Sequence, residues 1–468
     1  MKKTTLALIV GTRDFFPAEP VLKWRRQVLA LLAELGMEAV ILDENATPMG
    51  AVETWEQVKQ CADLFRANRD RIDGILVALP VFGPERAVAD TIKLSELQVP
   101  ILVQANPDEL DQLSVEQRGD AFCGKISVCN NLYQYGYPFT LTEQHTIYPS
   151  DEGFKADLVK FAGVCRVVRG LKRARLGAVG ARPAIFNTVR FSEKLLQLSG
   201  VTVTTVDLSE ILSVANSLSD DHAKVKERVA AIQAYLNTTG VPTQALSKMA
   251  KLGVALDDWI AANELDATAI QCWTALQKHY GVNVCTLMSM MSDRLMPSAC
   301  EVDVTGTLSM YALQLASGQP SALVDWNNNY GGDPNKCILF HCGNWAKSLL
   351  SEARMANAEI LATVLGTENT YGTVSGRAKS APLTFARITT DDRRGLIRSY
   401  MGEGRITDDP LDTFGCRAVA EIPRLQALLH YICKNGFEHH TAMNASQSAA
   451  ILAEAFETYL GWEVYHHQ

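Results

Sequence analysis

The stretch GILVALP at residues 74–80 decides the fold of the first part of the chain. Its apolar residues follow one another without alternation, which is typical of a strand buried on both faces of a parallel sheet. Similar runs occur on either side of it: LALIV at 6–10, MEAVILD at 37–43 and VPILVQANP at 99–107. Segments with helical spacing at 21–36 and 55–72 separate these runs. The alternation predicts a doubly wound α/β lobe, in which ligands usually bind at the carboxyl edge of the sheet.

A second α/β lobe is predicted to begin near residue 170, where RLGAVGARP at 175–183 has the pattern of a strand ending in a turn. A long helical stretch is expected from about 220 to 264. In the last third the helical patterns become sparse, and strand patterns dominate up to a final helix at 446–460. The fold class is therefore α/β, with two doubly wound parallel-sheet lobes followed by a smaller β-rich domain. The expected boundaries are 1–168, 169–316 and 317–468.

Length and composition agree with a large folded protein. At about 150 residues per domain, 468 residues predict about three domains. Hydrophobic residues make up 47% and charged residues 21%, which excludes a disordered chain. The net charge of −8 argues against a nucleic-acid binder, which usually carries a basic face.

Cysteine usage and hydropathy indicate the compartment. The eleven cysteines are scattered and form no CxxC pair, as is typical of a reduced, cytoplasmic protein. No run of 18 apolar residues occurs, so no membrane span is expected. The apolar segment near the N-terminus is short and Arg13 and Asp14 follow it at once, which favours a first strand over a signal peptide.

Several catalytic motifs are absent from the sequence. It contains no GxxxxGK[ST] loop and no GxGxxG after a strand, so a nicotinamide-dependent enzyme is not expected. It also lacks the GxSxG turn of serine hydrolases and the HExxH of zinc proteases.

Acids and histidines in apolar surroundings are the strongest chemical signal. They are Glu301, Asp325, His341 and the pair His439 and His440. Mixed carboxylate and imidazole sites suit Mn²⁺, Mg²⁺ or Fe²⁺. Each residue also has a structural interpretation: Glu301 as a helix cap, Asp325 in a turn, His341 in the core, and the pair on the surface. The spacing alone leaves both interpretations open.

Six segments carry a resemblance to a known family. They are RLGAVGARPAIFNTVRFSE at 175–193, AIQCWTAL at 269–276, ACEVDVTGTLSM at 299–310, SGQPSALVDWNN at 317–328, ILFHCGN at 338–344 and EHHTA at 438–442. Together with PLTFARIT…RSYMGEG at 382–404, they resemble the L-fucose isomerase and L-arabinose isomerase family of ketol isomerases. The resemblance extends over nearly the whole chain.

The resemblance implies roles for particular residues. Glu301, Asp325 and His440 would bind the metal, and Glu301 and Asp325 would also act as acid and base. His341, Gln271, Trp273 and Arg13 would contact the substrate, with Arg13 reaching the site of a neighbouring subunit. His341 also matches the position of a further histidine ligand in arabinose isomerases, so a metal-binding role stays open for it. The implied metal is Mn²⁺, with Mg²⁺, Co²⁺ or Fe²⁺ as alternatives. The implied assembly is a homo-oligomer, hexamer or tetramer, with sites between subunits.

The expected reaction is the isomerisation of an open-chain aldose to a ketose through a cis-enediol. The substrate could be a deoxyhexose, a pentose or a 6-substituted hexose such as sulfoquinovose. An anionic substituent would need a cation, for which Arg13, Arg182, Arg190, Lys347 and Arg377 are candidates by residue type. Two other classes stay open: a non-catalytic sugar-binding module, and another enediol-forming metal enzyme such as an aldolase or epimerase.

Overall fold

The computed structural model describes residues 3–111, 113–341 and 343–468. It divides into two compact units, the first formed by Met1–Arg169 with Glu454–Gly461 and the second by Gly170–Ala453 with Trp462–Gln468. A further division of the second unit at residue 316 stays a prediction.

The first unit alternates strands and helices, as the apolar runs predict. Its elements are β1 (Thr5–Val10), α1 (Ala18–Glu34), β2 (Glu38–Val40), α2 (Trp55–Ala67), β3 (Gly74–Leu79), α3 (Glu85–Ser95), β4 (Ile101–Ala105), α4 (Ala121–Gln134), β5 (Thr140–Leu141) and α5 (Glu152–Leu171). The strands pair in the parallel order β2-β1-β3-β4-β5. Ala7 and Ile9 of β1 enter one core while Leu6 and Leu8 enter another. Two cores on opposite faces confirm the doubly wound arrangement.

The second unit opens with another parallel sheet. Its elements are β6 (Arg175–Val179), α6 (Glu193–Leu198), β7 (Thr202–Val206), α7 (Leu208–Ser217), α8 (Ala223–Tyr235), α9 (Thr243–Ala262), β8 (Ala267–Ile270), α10 (Ala275–His279), α11 (Cys285–Asp293), β9 (Ser298–Ala299) and α12 (Val304–Ser317). The strands pair in the parallel order β7-β6-β8-β9.

The helical stretch expected from about 220 to 264 consists of two separate helices, α8 and α9. The chain between them contains Gly240 in a left-handed conformation, with φ of 82°, and Pro242 at the N-cap of α9. A proline lacks the N–H needed to continue a helix, and a left-handed glycine ends one.

The remaining elements build a mixed sheet. They are β10 (Ser321–Asn329), β11 (Lys336–His341), β12 (Leu350–Asn357), α13 (Glu359–Leu365), β13 (Tyr371–Ala378), β14 (Ala381–Asp391), β15 (Leu396–Thr407), β16 (Cys416–Glu421), α14 (Leu425–Lys434), β17 (His440–Asn444), α15 (Ala449–Glu454) and β18 (Glu463–His467). Among the described residues this sheet has nine strands, in the order β12-β13-β16-β11-β10-β17-β14-β15-β18. This mixed sheet is larger than either parallel sheet, whereas the sequence predicted a C-terminal domain smaller than the two lobes. No helix in the described part of the chain has the length and apolarity to cross a membrane.

Candidate active site

Strand register brings the predicted acids and histidines together in the second unit. Strand β10 lies between β11 and β17, and Asp325 pairs with His440 across the β10–β17 ladder. His341 is the last residue of β11. Glu301 follows Cys300 directly after β9, at the carboxyl edge of the second parallel sheet. Both sheets therefore contribute to one cluster.

His440 is the centre of this cluster. Its Nε2 atom lies 3.0 Å from Glu301 Oε2 and 3.3 Å from Asp325 Oδ1. The Nε2 atom of His341 lies 3.8 Å from the same Glu301 oxygen. Potential ligand atoms of Glu301, His341 and His440 all lie within 4.8 Å of one another, and the same holds for Asp325, His439 and His440. We call Glu301, Asp325, His341 and His440 the metal cluster.

The donors of this cluster fit a divalent cation. Glu301, His341 and His440 are at most 2% exposed. Among the described residues, neither Glu301 Oε2 nor Asp325 Oδ1 receives a well-directed hydrogen bond, although both atoms are buried. Buried carboxylate oxygens without donors are costly unless a cation compensates them. Two carboxylates and two imidazoles in one place are a donor set suited to Mn²⁺ and related ions.

The backbone at Glu301 is unusual. Glu301 and Val302 both adopt left-handed conformations, with φ of 58° and 55°. Residues other than glycine rarely do so, and a β-branched valine is disfavoured most. Such conformations cost on the order of 1–3 kcal/mol each and concentrate at functional sites. The turn aims the Glu301 side chain into the cluster, while Asp303 takes the N-cap of α12 by accepting the Gly306 N–H at 2.8 Å. The interpretation of Glu301 as the helix cap is therefore wrong.

Electrostatics couples the buried groups. Burial acts to raise the pKa of Glu301, but contacts with His341 and His440 outweigh it and lower this pKa to about 2. Burial acts to lower the pKa of His440, but its contacts with Asp303 and Glu301 raise this pKa to about 10. Burial and the charge of His440 lower the pKa of His439. In the metal-free protein at neutral pH, His440 therefore carries a positive charge beside ionised Glu301.

Behind His440 lies a set of charged residues that sequence reasoning did not single out. The Nδ1 atom of His440 is 2.8 Å from Asp303 Oδ2. Arg387 donates to both oxygens of Asp303, at 2.6 and 3.0 Å, and to Glu438 Oε2 at 3.1 Å. Burial acts to raise the pKa of Asp303, but Arg387 and His440 together outweigh it and hold this pKa well below its usual range. The sequence pattern did contain one indication of this set: Arg387 lies inside the apolar strand LTFARIT, and a buried arginine requires acidic partners.

The other side of the cluster is aromatic and partly open. The Asp325 side chain is 23% exposed, whereas that of Glu301 is 3% exposed. Phe186 stacks on His439 with ring centroids 6.5 Å apart, and meets Trp273 edge-on at 5.7 Å. This aromatic wall, formed by Phe186, Trp273 and His439, is the kind of surface on which a sugar packs.

Gln271 and Trp273 follow β8 directly, beside the metal cluster. Cys272, between them, has its Sγ atom 3.9 Å from Glu301 Oε1. The Gln271 amide accepts the Ala181 N–H at 3.0 Å and so ties the β6 and β8 loops together. Its role as a substrate contact stays a prediction.

The predicted cationic residues make other contacts. Arg13 belongs to the first unit, where it pairs with Glu85 at 2.9 Å. In the second unit, Arg182 donates to the carbonyl group of Pro183, and Arg190 donates to that of Asn187. Arg377 donates to the carbonyl groups of Thr407 and Asp409. Lys347 lies over the Tyr235 ring. Their roles toward an anionic substrate stay predictions.

Comparison with known proteins places the chain in a family. The family model described as fucose/sulfoquinovose isomerase, N-terminal domain, matches residues 7–172. The model described as L-fucose isomerase, C-terminal domain, matches residues 339–467. Together these matches cover more than half of the chain.

Several relatives are named sulfoquinovose isomerase. The protein from Clostridium sp. (strain MSTE9) is 29% identical over 330 residues, which cover 68% of this chain and 70% of that protein. The protein from Priestia aryabhattai is 25% identical over 363 residues, 77% of each chain. The protein from Alkalicoccus urumqiensis is 26% identical over 301 residues, 63% of this chain and 65% of that protein.

The family models and the relatives define the class of the protein, which is an aldose–ketose isomerase. The chain belongs to the fucose isomerase family, and the family resemblance read from its motifs is confirmed.

Proposed function

We propose that the chain is a metal-dependent isomerase that converts an open-chain 6-substituted aldose into the ketose through a cis-enediol. Sulfoquinovose is the first candidate substrate, because three relatives carry its name. The observation that carries the metal dependence is the convergence of Glu301 Oε2 and Asp325 Oδ1 on His440 Nε2, at 3.0 and 3.3 Å. Glu301, Asp325 and His440 would hold the ion, with His341 as a fourth donor.

The reaction needs a proton to leave C2 and another to arrive at C1. A bound divalent ion supplies Lewis acidity, which stabilises the negative charge that develops on the sugar oxygens. A positioned carboxylate accelerates such a proton transfer by roughly 10²–10⁴-fold.

Asp325 is the better placed of the two carboxylates to take the proton. Its side chain reaches the open side of the cluster, whereas Glu301 lies deep. We therefore assign proton abstraction to Asp325 and ion binding mainly to Glu301. The aromatic wall would pack against the apolar face of the sugar chain and exclude water from the developing charge.

Removal of single ligands tests the metal site. We expect Glu301→Gln, Asp325→Asn and His440→Ala each to weaken Mn²⁺ binding and abolish turnover while circular dichroism stays unchanged. The matched controls Glu210→Gln, Asp392→Asn and His222→Ala alter exposed residues of the same type in the second unit. These controls should bind Mn²⁺ and turn over like the unaltered protein. Full activity and stoichiometric metal in the His440→Ala protein would show that the assignment is wrong.

A substrate panel tests the specificity. Sulfoquinovose, glucose, L-fucose, D-arabinose and L-arabinose are each supplied with Mn²⁺, and ketose formation is followed by NMR. We expect the highest kcat/KM for the sulfonated sugar. Preference for L-fucose or a pentose would overturn the substrate proposal and leave the isomerase class intact.

A further inference from the structure

A buried network of charged groups lies behind the metal cluster. Asp303 and Arg387 are fully buried, and Glu438 is 3% exposed. Arg387 bridges the two acids, and Thr389 donates its hydroxyl to Glu438 Oε1 at 2.6 Å. The network of Asp303, Arg387 and Glu438 touches the metal cluster at one point, the 2.8 Å contact between Asp303 Oδ2 and His440 Nδ1.

We propose that Asp303 is a positioning residue for His440, an inference that rests on the proposed metal site. Its carboxylate accepts the Nδ1–H of the imidazole. When an ion replaces the Nε2 proton, Nε2 is thereby directed at the point where Glu301 and Asp325 converge. Imidazoles that bind metals commonly have their second nitrogen held by a carboxylate, which fixes both the tautomer and the ring orientation.

The hydrogen bonds around Asp303 require a carboxylate at this position. Oδ1 accepts from the Gly306 N–H at 2.8 Å and from Arg387 Nη2 at 3.0 Å. Oδ2 accepts from Arg387 Nη1 at 2.6 Å and faces His440 Nδ1 at 2.8 Å. Both oxygens are thus surrounded by donors. An asparagine would place its NH₂ group against donors in either orientation, because an amide has a single acceptor atom.

The far end of the network fixes Asp303 itself. Arg387 donates to Glu438 as well as to Asp303, and its Nη2 atom also donates to Thr305 Oγ1 at 2.9 Å. One cation between two anions leaves the network with a net negative charge behind the imidazole. That charge favours the Nδ1–H···O bond and raises the basicity of Nε2 toward a cation.

Metal titration of variants tests the role of Asp303. Mn²⁺ is titrated calorimetrically into chelator-treated protein carrying Asp303→Asn. We expect the Mn²⁺ affinity to fall about tenfold to hundredfold. The control is Asp207→Asn, the same exchange at the exposed N-cap of α7. Asparagine caps a helix about as well as aspartate, so this exchange removes a charge without touching a histidine, and the control should bind Mn²⁺ normally. A folded Asp303→Asn protein with unchanged Mn²⁺ affinity would overturn the proposal.

A second measurement uses the unaltered protein and is independent of whether the Asp303 variant folds. The protein is labelled with ¹⁵N-histidine and loaded with Mg²⁺, and the His440 signal is assigned by its absence from the His440→Ala spectrum. We expect a protonated Nδ1 and an unprotonated Nε2. A proton on Nε2 with a bare Nδ1 would overturn the positioning role. Absence of metal binding by the unaltered protein would instead overturn the proposed metal site and, with it, this inference.

Discussion

The affinity for Mn²⁺ should rise steeply with pH, because the metal must displace a proton from His440. The pKa of His440 is raised to about 10 and that of Glu301 is lowered to about 2. Between pH 6.5 and 8.5 Glu301 is therefore ionised throughout, and His440 is almost entirely protonated in the metal-free protein. Only a neutral imidazole binds a metal, so the affinity should increase about tenfold per pH unit. Over the two units it should rise about a hundredfold.

An ordinary histidine would behave differently. With a pKa of about 6.5 it would be half neutral at the start of this range, and the affinity would rise only about twofold. Calorimetric titration of Mn²⁺ at three pH values, in two buffers of different ionisation enthalpy, measures both the affinity and the protons released. We expect close to one proton per Mn²⁺, and the same result for the control His222→Ala. A twofold change with little proton release would refute the coupling of His440 to Glu301 and Asp303.

Three further predictions concern stability and substrate binding. The metal-free protein should lose thermal stability as pH rises from about 6.5 toward 10. Protonated His440 stabilises the fold below this range, and its contribution disappears above it because the proton is lost. Differential scanning fluorimetry should show a smaller loss of stability with Mn²⁺ bound. Gly180→Ala should lower the free energy of unfolding by about 1–3 kcal/mol, and with it the midpoint of thermal unfolding, because φ at Gly180 is 80° and an added Cβ would lie 2.4 Å from Gln271 Oε1. An unchanged midpoint would contradict this close approach. Phe186→Ala should raise KM about threefold to tenfold and leave the Mn²⁺ affinity unchanged, because an aromatic contact such as that with Trp273 contributes about 0.5–1.5 kcal/mol. Equal changes in KM and in Mn²⁺ affinity would contradict the role of Phe186 in the wall that packs against the sugar.

The sequence predicted the parallel sheets and the members of the metal cluster, for identifiable reasons. Continuous apolar runs such as GILVALP are typical of strands covered on both faces, and β3 lies at that position. Glu301, Asp325 and His440 stood out as polar residues in apolar surroundings and lie together in the structure. Their metal-binding and catalytic roles stay predictions.

The network behind His440 could not be assembled from the sequence. Asp303, Arg387 and Glu438 belong to three segments, which come together because β14 pairs with β17 and α12 packs against both strands. Local sequence patterns carry no information about such long-range pairing. The break between α8 and α9 was predictable in principle, because Gly240 and Pro242 are strong helix terminators.

The most direct test of the account is turnover by chelator-treated protein in deuterated water. Sulfoquinovose is supplied before and after addition of one equivalent of Mn²⁺, and the product is analysed by NMR and mass spectrometry. We expect no ketose without the metal, and ketose carrying solvent deuterium at C1 once Mn²⁺ is added. Full turnover by the metal-depleted protein would contradict the central claim of a metal-dependent isomerase.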